Sequence, residues 1–515
     1  MFGIILIICL PVVWSLFKSG FYYSHDGAFH LVRLGHFFNE LMAGQFPVRY
    51  SQDLLFRHGY PVFNYFYPLP YYFGSLIHFL GFDLGSSIKI LMGISTIGSI
   101  WFFYLFLEKL FGRWPAVIAS VLWAYLPYRL LAMYVTGSVG VIMALFWVVL
   151  ALFAVSRHRI TLLSFSVAGL ILSHNVSALM FLPIILLISI ILNFGDKRKI
   201  ITESLAMFLG VALSSFFIVP ALLEKYMVHL DPPVVNYLDH FPTFKQLLYS
   251  PWGYWYSEKG PKDGQSLQAG FAIWMALGLS ILGLFKNKKS KLPLFLIIIF
   301  GVTIFLMLES SIFIWKLIPI LPQIQFPWRL LAVTGLLGSI LSAFATKSWR
   351  WLGPPLVALA LFNSRNYLRP MESVRYPDKF YQDQTSLWFG TTDIASEGTP
   401  RWVTKSPNWF DDNLVATTSG DLRVLNATKN NTGWTFETNA KKGIIETNLI
   451  YYPMWNTKTK NVDLSKNSIG YTQLRVADGV DRADLNLSQT PIERTGNIVS
   501  MLALLAIILV WFLKL

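Results

Sequence analysis

One short segment, Ser24-His25-Asp26-Gly27-Ala28-Phe29-His30-Leu31-Val32-Arg33, sets a carboxylate, two imidazoles and a guanidinium close together. A carboxylate beside a bilayer, where low dielectric shifts its pKa, can act as a general base or accept a substrate hydroxyl. A helix begun near Gly27 puts His30 and Arg33 three residues apart on a shared face. The same helix sets Asp26 at its N-cap, where free backbone N–H groups stabilise a carboxylate. Capping alone is a sufficient structural reason for an aspartate there, and capping is compatible with base chemistry. His25, Asp26 and His30 also make a candidate two-histidine, one-carboxylate set for a divalent cation, although adjacent residues do not readily face one centre.

Further candidate substrate contacts recur along the chain. Arg49 and Asp53 would add a phosphate-binding cation and a second carboxylate. The run from Tyr60 to Tyr72, with Asn64 and Tyr65 inside it, reads either as an interfacial aromatic belt or as a platform for sugar rings and an isoprenoid chain. His174 stands in a polar Ser-His-Asn between two apolar runs, and Asp239, His240 and Trp252 fall in an aromatic-rich stretch. Arg329 ends the motif Gln325-Phe326-Pro327-Trp328-Arg329, where an arginine either snorkels to headgroups or meets a specific partner.

The elements that must hold these residues are membrane spans. Of 515 residues, 54% are hydrophobic and 14% charged, against roughly one-quarter charged in soluble domains. Apolar runs near 2–20, 86–107, 115–133, 139–156, 160–174, 176–194, 200–220, 267–285, 292–308, 327–346, 351–363 and 496–513 predict a mostly α, polytopic membrane protein, with about 12 transmembrane helices. The first run, Phe2 to Phe17, has neither a basic n-region nor a small-residue cleavage site and is expected to be a retained span. The only cysteine, Cys9, permits neither an intrachain disulfide nor a thiolate metal cluster.

The net charge of +14 gathers in short clusters between the runs: Lys109/Arg113, Arg157/Arg159, Lys197/Arg198/Lys199, Lys286/Lys288/Lys289/Lys291 and Lys347/Arg350. Alternation from a cytoplasmic N-terminus puts every cluster on the cytoplasmic side, which argues for topology rather than nucleic-acid binding. The C-terminus is then cytoplasmic too. The opposite side receives 21–85, the loop around His174, 221–266, the hairpin 309–326 and 364–494. Within the last of these, alternating runs from Trp434 and Tyr471 lie between the turn signals Thr432-Gly433 and Asp478-Gly479. They predict a small antiparallel β domain, mainly in 410–490. The plan is a transmembrane domain over 1–363, an extracytoplasmic segment over 364–494 and a final helix over 495–515.

The first loop, from Ser24-His25-Asp26-Gly27 through Phe63-Asn64-Tyr65-Phe66-Tyr67-Pro68, resembles bacterial membrane proteins of the 6-pyruvoyl-tetrahydropterin synthase-related and YfhO-like type. Through them the chain resembles the GT-C superfamily of polytopic glycosyltransferases. The resemblance extends over most of the chain, to Leu172-Ser173-His174-Asn175, Asp239-His240-Phe241, Ser250-Pro251-Trp252, Phe326-Pro327-Trp328-Arg329 and Tyr451-Tyr452-Pro453-Met454-Trp455. It implies a GT-C-like fold in the cytoplasmic (inner) membrane. It also implies inverting transfer of a hexosyl or pentosyl group from a polyprenyl-phosphate donor to a glycan, lipid or protein acceptor on the outer face. Asp26 would be the base, and Arg33, Arg49 and Arg329 the phosphate contacts. No cofactor is implied beyond an optional divalent cation. Two positions depart from the family pattern: Val141 stands where relatives carry glutamate, and Met454 where they carry glycine. A flippase of lipid-linked glycans is the rival reading, but transporters often show repeated halves and none is evident. A non-catalytic envelope scaffold is another, and it would tolerate loss of Asp26.

Overall fold

The computed structural model describes residues 2–230, 236–286, 291–383, 398–404 and 414–512. Lys288 and Lys289 of the basic clusters, residues 410–413 of the expected β domain and residue 513 of the last run lie outside the described residues.

The helices of the first half are α1 (Phe2–Trp14), α2 (Gly27–Met42), α3 (Leu69–Phe79), α4 (Leu84–Phe111), α5 (Arg113–Ala124), α6 (Pro127–Leu130), α7 (Val139–Arg157), α8 (Ile160–Ser173), α9 (Asn175–Leu192), α10 (Lys197–Leu213) and α11 (Ser215–Leu223). Then follow α12 (Phe244–Leu248), α13 (Phe271–Lys286), α14 (Lys291–Met307), α15 (Ile312–Leu317), α16 (Leu331–Ser348), α17 (Gly353–Ser364), α18 (Asp378–Gln382) and α19 (Pro491–Phe512). Local chemistry sets several ends. Asp83 caps α4 by accepting from Ser86 N at 2.7 Å, and α4 stops at Gly112, whose φ is +89°.

The expected number of about twelve spans is not confirmed by these helices. Among the described residues, α4, α7, α9, Pro327–Ser348 and α19 are each long and apolar enough to cross a membrane, and the number reaches 8 if each bent pair is one span. The bent pairs are Arg113–Ala124 with Pro127–Val135 (42°), Lys197–Leu213 with Ser215–Leu223 (67°) and Lys291–Met307 with Glu309–Leu317 (93°). The shortfall is one of length: α8 has 14 residues, or about 21 Å at 1.5 Å per residue, against a hydrocarbon core of about 30 Å. The chain is nonetheless a multi-pass membrane protein.

The basic clusters come together at one end of the helices. Lys109 Nζ donates to Ser156 O, Trp114 Nε1 donates to Arg350 O at 3.2 Å, and Lys347 Nζ lies 5.9 Å from the Phe111 ring. At the other end, the expected amphipathic helix forms as α2 and packs on α3 and α4. A short antiparallel pair, β1 (Phe21–Tyr22) with β2 (Ser373–Val374), joins the first loop to the chain beyond α17.

The C-terminal strands are β3 (Val415–Gly420), β4 (Val424–Asn430), β5 (Gly433–Thr438), β6 (Gly443–Ile450), β7 (Trp455–Asn456), β8 (Val462–Lys466), β9 (Tyr471–Val476) and β10 (Arg482–Leu487). They form two antiparallel four-stranded sheets, ordered β4-β5-β10-β7 and β3-β6-β9-β8. Alternation drives them together: along β9, Leu474 and Val476 are buried while Arg475 is exposed. They share a core with Phe436, Ile445 and Leu485, and Tyr50 of the first loop is part of it. The loop is further tied to this unit by Ile450 N donating to His58 O at 2.7 Å and by Tyr65 Oη sharing a 2.7 Å hydrogen bond with Tyr452 Oη.

Candidate active site

Two motifs remote in sequence dock to place Asp26. His25 N and Asp26 N donate to Val135 O and Thr136 O at 3.0 and 2.8 Å. Those acceptors end a π-helical turn, Leu131–Val135, a rare form that often marks functional positions. The next residues, Gly137-Ser138-Val139-Gly140, allow close approach: a Cβ on Gly137, where φ is +69°, would sit 2.4 Å from Ser24 Oγ, and one on Gly140 would sit 2.5 Å from the Tyr67 ring. Asp26 takes the N-cap position of α2, but its carboxylate makes no capping hydrogen bond. This corrects the capping expectation. The pairing with Val135 and Thr136 holds its backbone at φ −109°, ψ −5°, away from the extended geometry a capping side chain needs.

The carboxylate instead lines a cavity of about 320 Å³ together with His30, Arg33, His174 and Arg329. The aromatic wall comes from Phe29, Tyr65, Phe66 and Tyr67. Burial pushes Asp26 up from 3.8 to about 6, while Arg329 and then Arg33 pull it back down. Arg33 is held against two rings, its guanidinium carbon 3.6 Å from the Phe29 centroid and 4.0 Å from that of Phe66. Arg329 is aimed by donating from Nη1 to Ile324 O (3.0 Å) and Gln325 Oε1 (2.8 Å). Gln325 itself sits at φ +66°, a strained conformation for a non-glycine residue. His30 shares a 2.8 Å hydrogen bond with Tyr71 Oη; burial, then Arg33, lower its pKa to about 3, so the ring is neutral.

His174 adds a directed donor. Its extended backbone (φ −164°, ψ 110°) breaks the apolar stretch into α8 and α9, and its Nδ1 accepts from Ser177 N at 3.0 Å. A backbone N–H only donates, so the ring proton resides on Nε2. Asn175 and Val176, at the N-terminus of α9, line the same cavity, where a helix end favours negative charge. A smaller space of about 50 Å³ shares Asp26, His174 and Arg329, with Val141 on its wall. Proton acceptor, two guanidiniums, an N–H donor and a helix N-terminus suit transfer to a hydroxyl with departure of an anion.

The other sequence-selected residues stand outside this lining, each committed elsewhere. Arg49 donates from Nη1 to Asn64 Oδ1 (2.9 Å) and from Nη2 to Phe216 O (2.7 Å) and Asn497 Oδ1 (3.0 Å), with Glu493 at 4.0 Å. Asn64 donates on to Glu224 at 2.9 Å, and Thr490 Oγ1 also donates to Glu224. Together they clamp the first loop to α11 and α19. Asp53 pairs with Lys429 of β4 at 2.6 Å on the surface. Asp53→Asn is therefore expected to leave activity within twofold and stability within about 1 kcal/mol, as for an exposed ion pair; a hundredfold loss of turnover would return Asp53 to the site.

His25 bonds Tyr254 O (3.2 Å) and stacks on Tyr256. Asp239 pairs with Lys259 at 2.8 Å. His240 bonds Ser257 Oγ at 3.1 Å and packs on Phe326, buttressing the turn that carries Arg329. Trp252 packs edge-on against Tyr367. Because His25 and His30 each serve other partners, the three-residue cation set does not assemble: among the described residues no group of three or more His, Cys, Asp or Glu could hold a metal ion. Phe29, Phe66, Tyr67, Ser138 and Gln325 line the cavity without having been selected from the sequence. All five lie inside or beside the recognised motifs, so motif membership was the available signal.

A family model for the 6-pyruvoyl-tetrahydropterin synthase related domain, described as a membrane protein, matches residues 63–363. An uncharacterized protein of Lactococcus lactis subsp. cremoris (strain MG1363) is 26% identical over 241 residues, which are 42% of this chain and 39% of that relative. The chain thus spans well under half the length of this curated relative. Among solved structures, arabinofuranosyltransferase AftD from Mycobacteria aligns over 72% of this chain and 27% of its own, at 16% identity and a TM-score of 0.47. ArnT from Cupriavidus metallidurans, bound to undecaprenyl phosphate, aligns over 75% and 69% at 13% identity and a TM-score of 0.42. The Archaeoglobus fulgidus oligosaccharyltransferase aligns over 78% and 56% at 14% identity and a TM-score of 0.39.

Proposed function

Since the chain belongs to the 6-pyruvoyl-tetrahydropterin synthase-related family of membrane proteins, we propose that it is a membrane glycosyltransferase that moves a sugar from a polyprenyl-phosphate donor to an acceptor hydroxyl. The observation that carries this reading is the convergence of Asp26, Arg33, Arg329 and His174 on one cavity walled by aromatic rings, at the end of the helices away from the basic clusters. By the positive-inside rule that end is extracytoplasmic.

In the proposed step, Asp26 accepts the proton of the acceptor hydroxyl as that oxygen bonds to the anomeric carbon. The bond from the anomeric carbon to the phosphate oxygen breaks, and the electron pair leaves with the phosphate. Arg33, Arg329, the Nε2–H of His174 and the N-terminus of α9 would steady the departing anion. Asp26 is the carboxylate that lines the cavity among the described residues, and Val141 occupies the adjoining wall. One carboxylate suits single displacement with inversion, whereas retention calls for a second as nucleophile. With its pKa near 6, Asp26 is charged at neutral pH yet basic enough to take a proton.

The test is turnover by the full chain in lipid nanodiscs, supplied with polyprenyl-phosphate hexose and pentose donors. Release of polyprenyl phosphate together with a glycosylated acceptor is the expected result. Bound donor with no release, or donor crossing the bilayer uncleaved, would overturn the reading, the latter in favour of a flippase. Arg33→Lys is expected to raise the donor KM by about 10–100-fold, the worth of one charged hydrogen bond at roughly 1.5–3 kcal/mol. An unchanged KM would remove Arg33 from phosphate binding.

A further inference from the structure

The start of α2 rests on Phe21, and Phe21 also lines a second cavity, of about 470 Å³, walled by Asp83, Arg375, Tyr376, Asp378 and Tyr381. Its volume falls within the roughly 300–1,000 Å³ of small-molecule sites. The cavity lies between the N-terminus of α4, the β1–β2 pair and α18, outside the membrane-spanning helices. Nothing in the glycosyl-transfer scheme uses it.

Two carboxylates face it, and each already does part of its hydrogen bonding within the fold. Asp83 accepts from Ser86 N (2.7 Å) and Ser86 Oγ (3.0 Å). Asp378 Oδ1 accepts from Leu84 N at 2.8 Å, and its Oδ2 lies 3.9 Å from His78 Nδ1. A carboxylate has about four acceptor positions, so both retain capacity. Tyr381 adds a polar group to the wall. It is only 6% exposed, it lines the cavity, and among the described residues no hydrogen-bond partner for its hydroxyl is present. The ring is buried while the hydroxyl stays open to the cavity, where a ligand oxygen can reach it.

The chemistry of the walls selects the ligand class. Asp83 and Asp378 accept, Arg375 donates, and Tyr381 does both. Phe21 and Tyr376 offer aromatic surface, and Tyr376 is fixed by stacking on Phe380 with ring centroids 4.2 Å apart. An anion would meet two carboxylates, and a metal ion would find no third acidic or imidazole ligand in the set. Hydroxyls that donate and accept, set on a ring with an apolar face, match all of these walls. We propose that this cavity is a second binding site, for a sugar residue of a glycan, separate from the Asp26 cavity. The inference does not depend on the glycosyltransferase reading, since it concerns binding alone.

The experiment is saturation-transfer NMR on the full chain in nanodiscs free of sugar detergents, with methyl glycosides of glucose, galactose, mannose and N-acetylglucosamine as probes. At least one glycoside is expected to give transfer that persists in Asp26→Asn. Tyr381→Phe, which removes a hydroxyl with no partner in the fold, is expected to keep the wild-type Tm and to bind about three- to tenfold more weakly. Gly85→Leu gives a second check. The nearest atoms to a Cβ there are Asp83 Oδ1 at 3.4 Å and Phe21 side-chain atoms from 3.7 Å, so a longer side chain extends into the space and should abolish the signal. Transfer from none of the glycosides, or undiminished transfer in both variants, would overturn the proposal. Discs containing a diglucosyl diacylglycerol identify the source: competition with the soluble glycoside assigns a glycolipid headgroup, and its absence assigns a free glycan, either result upholding the site.

Discussion

Asp26→Asn is expected to lower transfer by about 10²–10⁴-fold, the usual contribution of a positioned base, while making the protein more stable at neutral pH. The second half of this result separates a desolvated base from a helix cap. The folded-state pKa of Asp26 is raised, from 3.8 to about 6, chiefly by burial. The fold therefore favours the protonated form. Its stabilising contribution is full below pH about 4 and is lost as pH rises through about 6. At pH 7 the ionised carboxylate is a cost to the fold, and asparagine removes it. A capping aspartate behaves oppositely, because its charge is favourable at a helix N-terminus. Thermal unfolding of wild type and variant between pH 4 and 8, beside turnover over the same range, supplies both readouts. Wild-type turnover should fall as pH drops below 6. Full activity in the variant would remove Asp26 as the base, and a lower Tm at pH 7 would refute the account of its burial.

Arg49→Leu is expected to cost about 3–5 kcal/mol, because it leaves buried carboxylates without their cation. Arg49 is 2% exposed, and Glu224 and Glu493 are each 0% exposed. The measurement is the yield of monodisperse protein by size exclusion and its melting in nanodiscs. Arg49→Leu combined with Glu493→Gln should recover a large part of the loss, since removing both charges of a buried pair is far milder than removing one. A well-folded Arg49→Leu protein with a selectively raised donor KM would instead make Arg49 a phosphate ligand.

These two residues show what the sequence makes legible. Helical runs, the amphipathic α2 and the alternating strands follow from local periodicity, so they can be read one segment at a time. Convergence of the Ser-His-Asp-Gly, Ser-His-Asn and Phe-Pro-Trp-Arg motifs needed only that they share one end of the helices, which charge alternation suggests. Pairing is another matter. Arg49, Asn64 and Asp53 have the right types for phosphate and hydroxyl binding, but their partners Asn497, Glu224 and Lys429 lie far along the chain. No local rule links them. Asp26 escaped its capping role for the same reason: Val135 and Thr136, more than a hundred residues on, fix its backbone. The number of spans turns on helix length. α8, with 14 residues, and the bends at Leu126 and Ser214 inside the runs 115–133 and 200–220 leave helices shorter than a full crossing.

The clamp also has a consequence in time. Arg49 and Asn497 are 448 positions apart, and at roughly 5–20 residues per second of synthesis the partner arrives some tens of seconds after the arginine. Until then the first loop, with Tyr65 beside Asn64 on the cavity wall, waits without its anchor on the final helix. A nascent chain released early would carry the motifs but not the closed scaffold around them. Docking of α19 is thus the step that anchors the first loop.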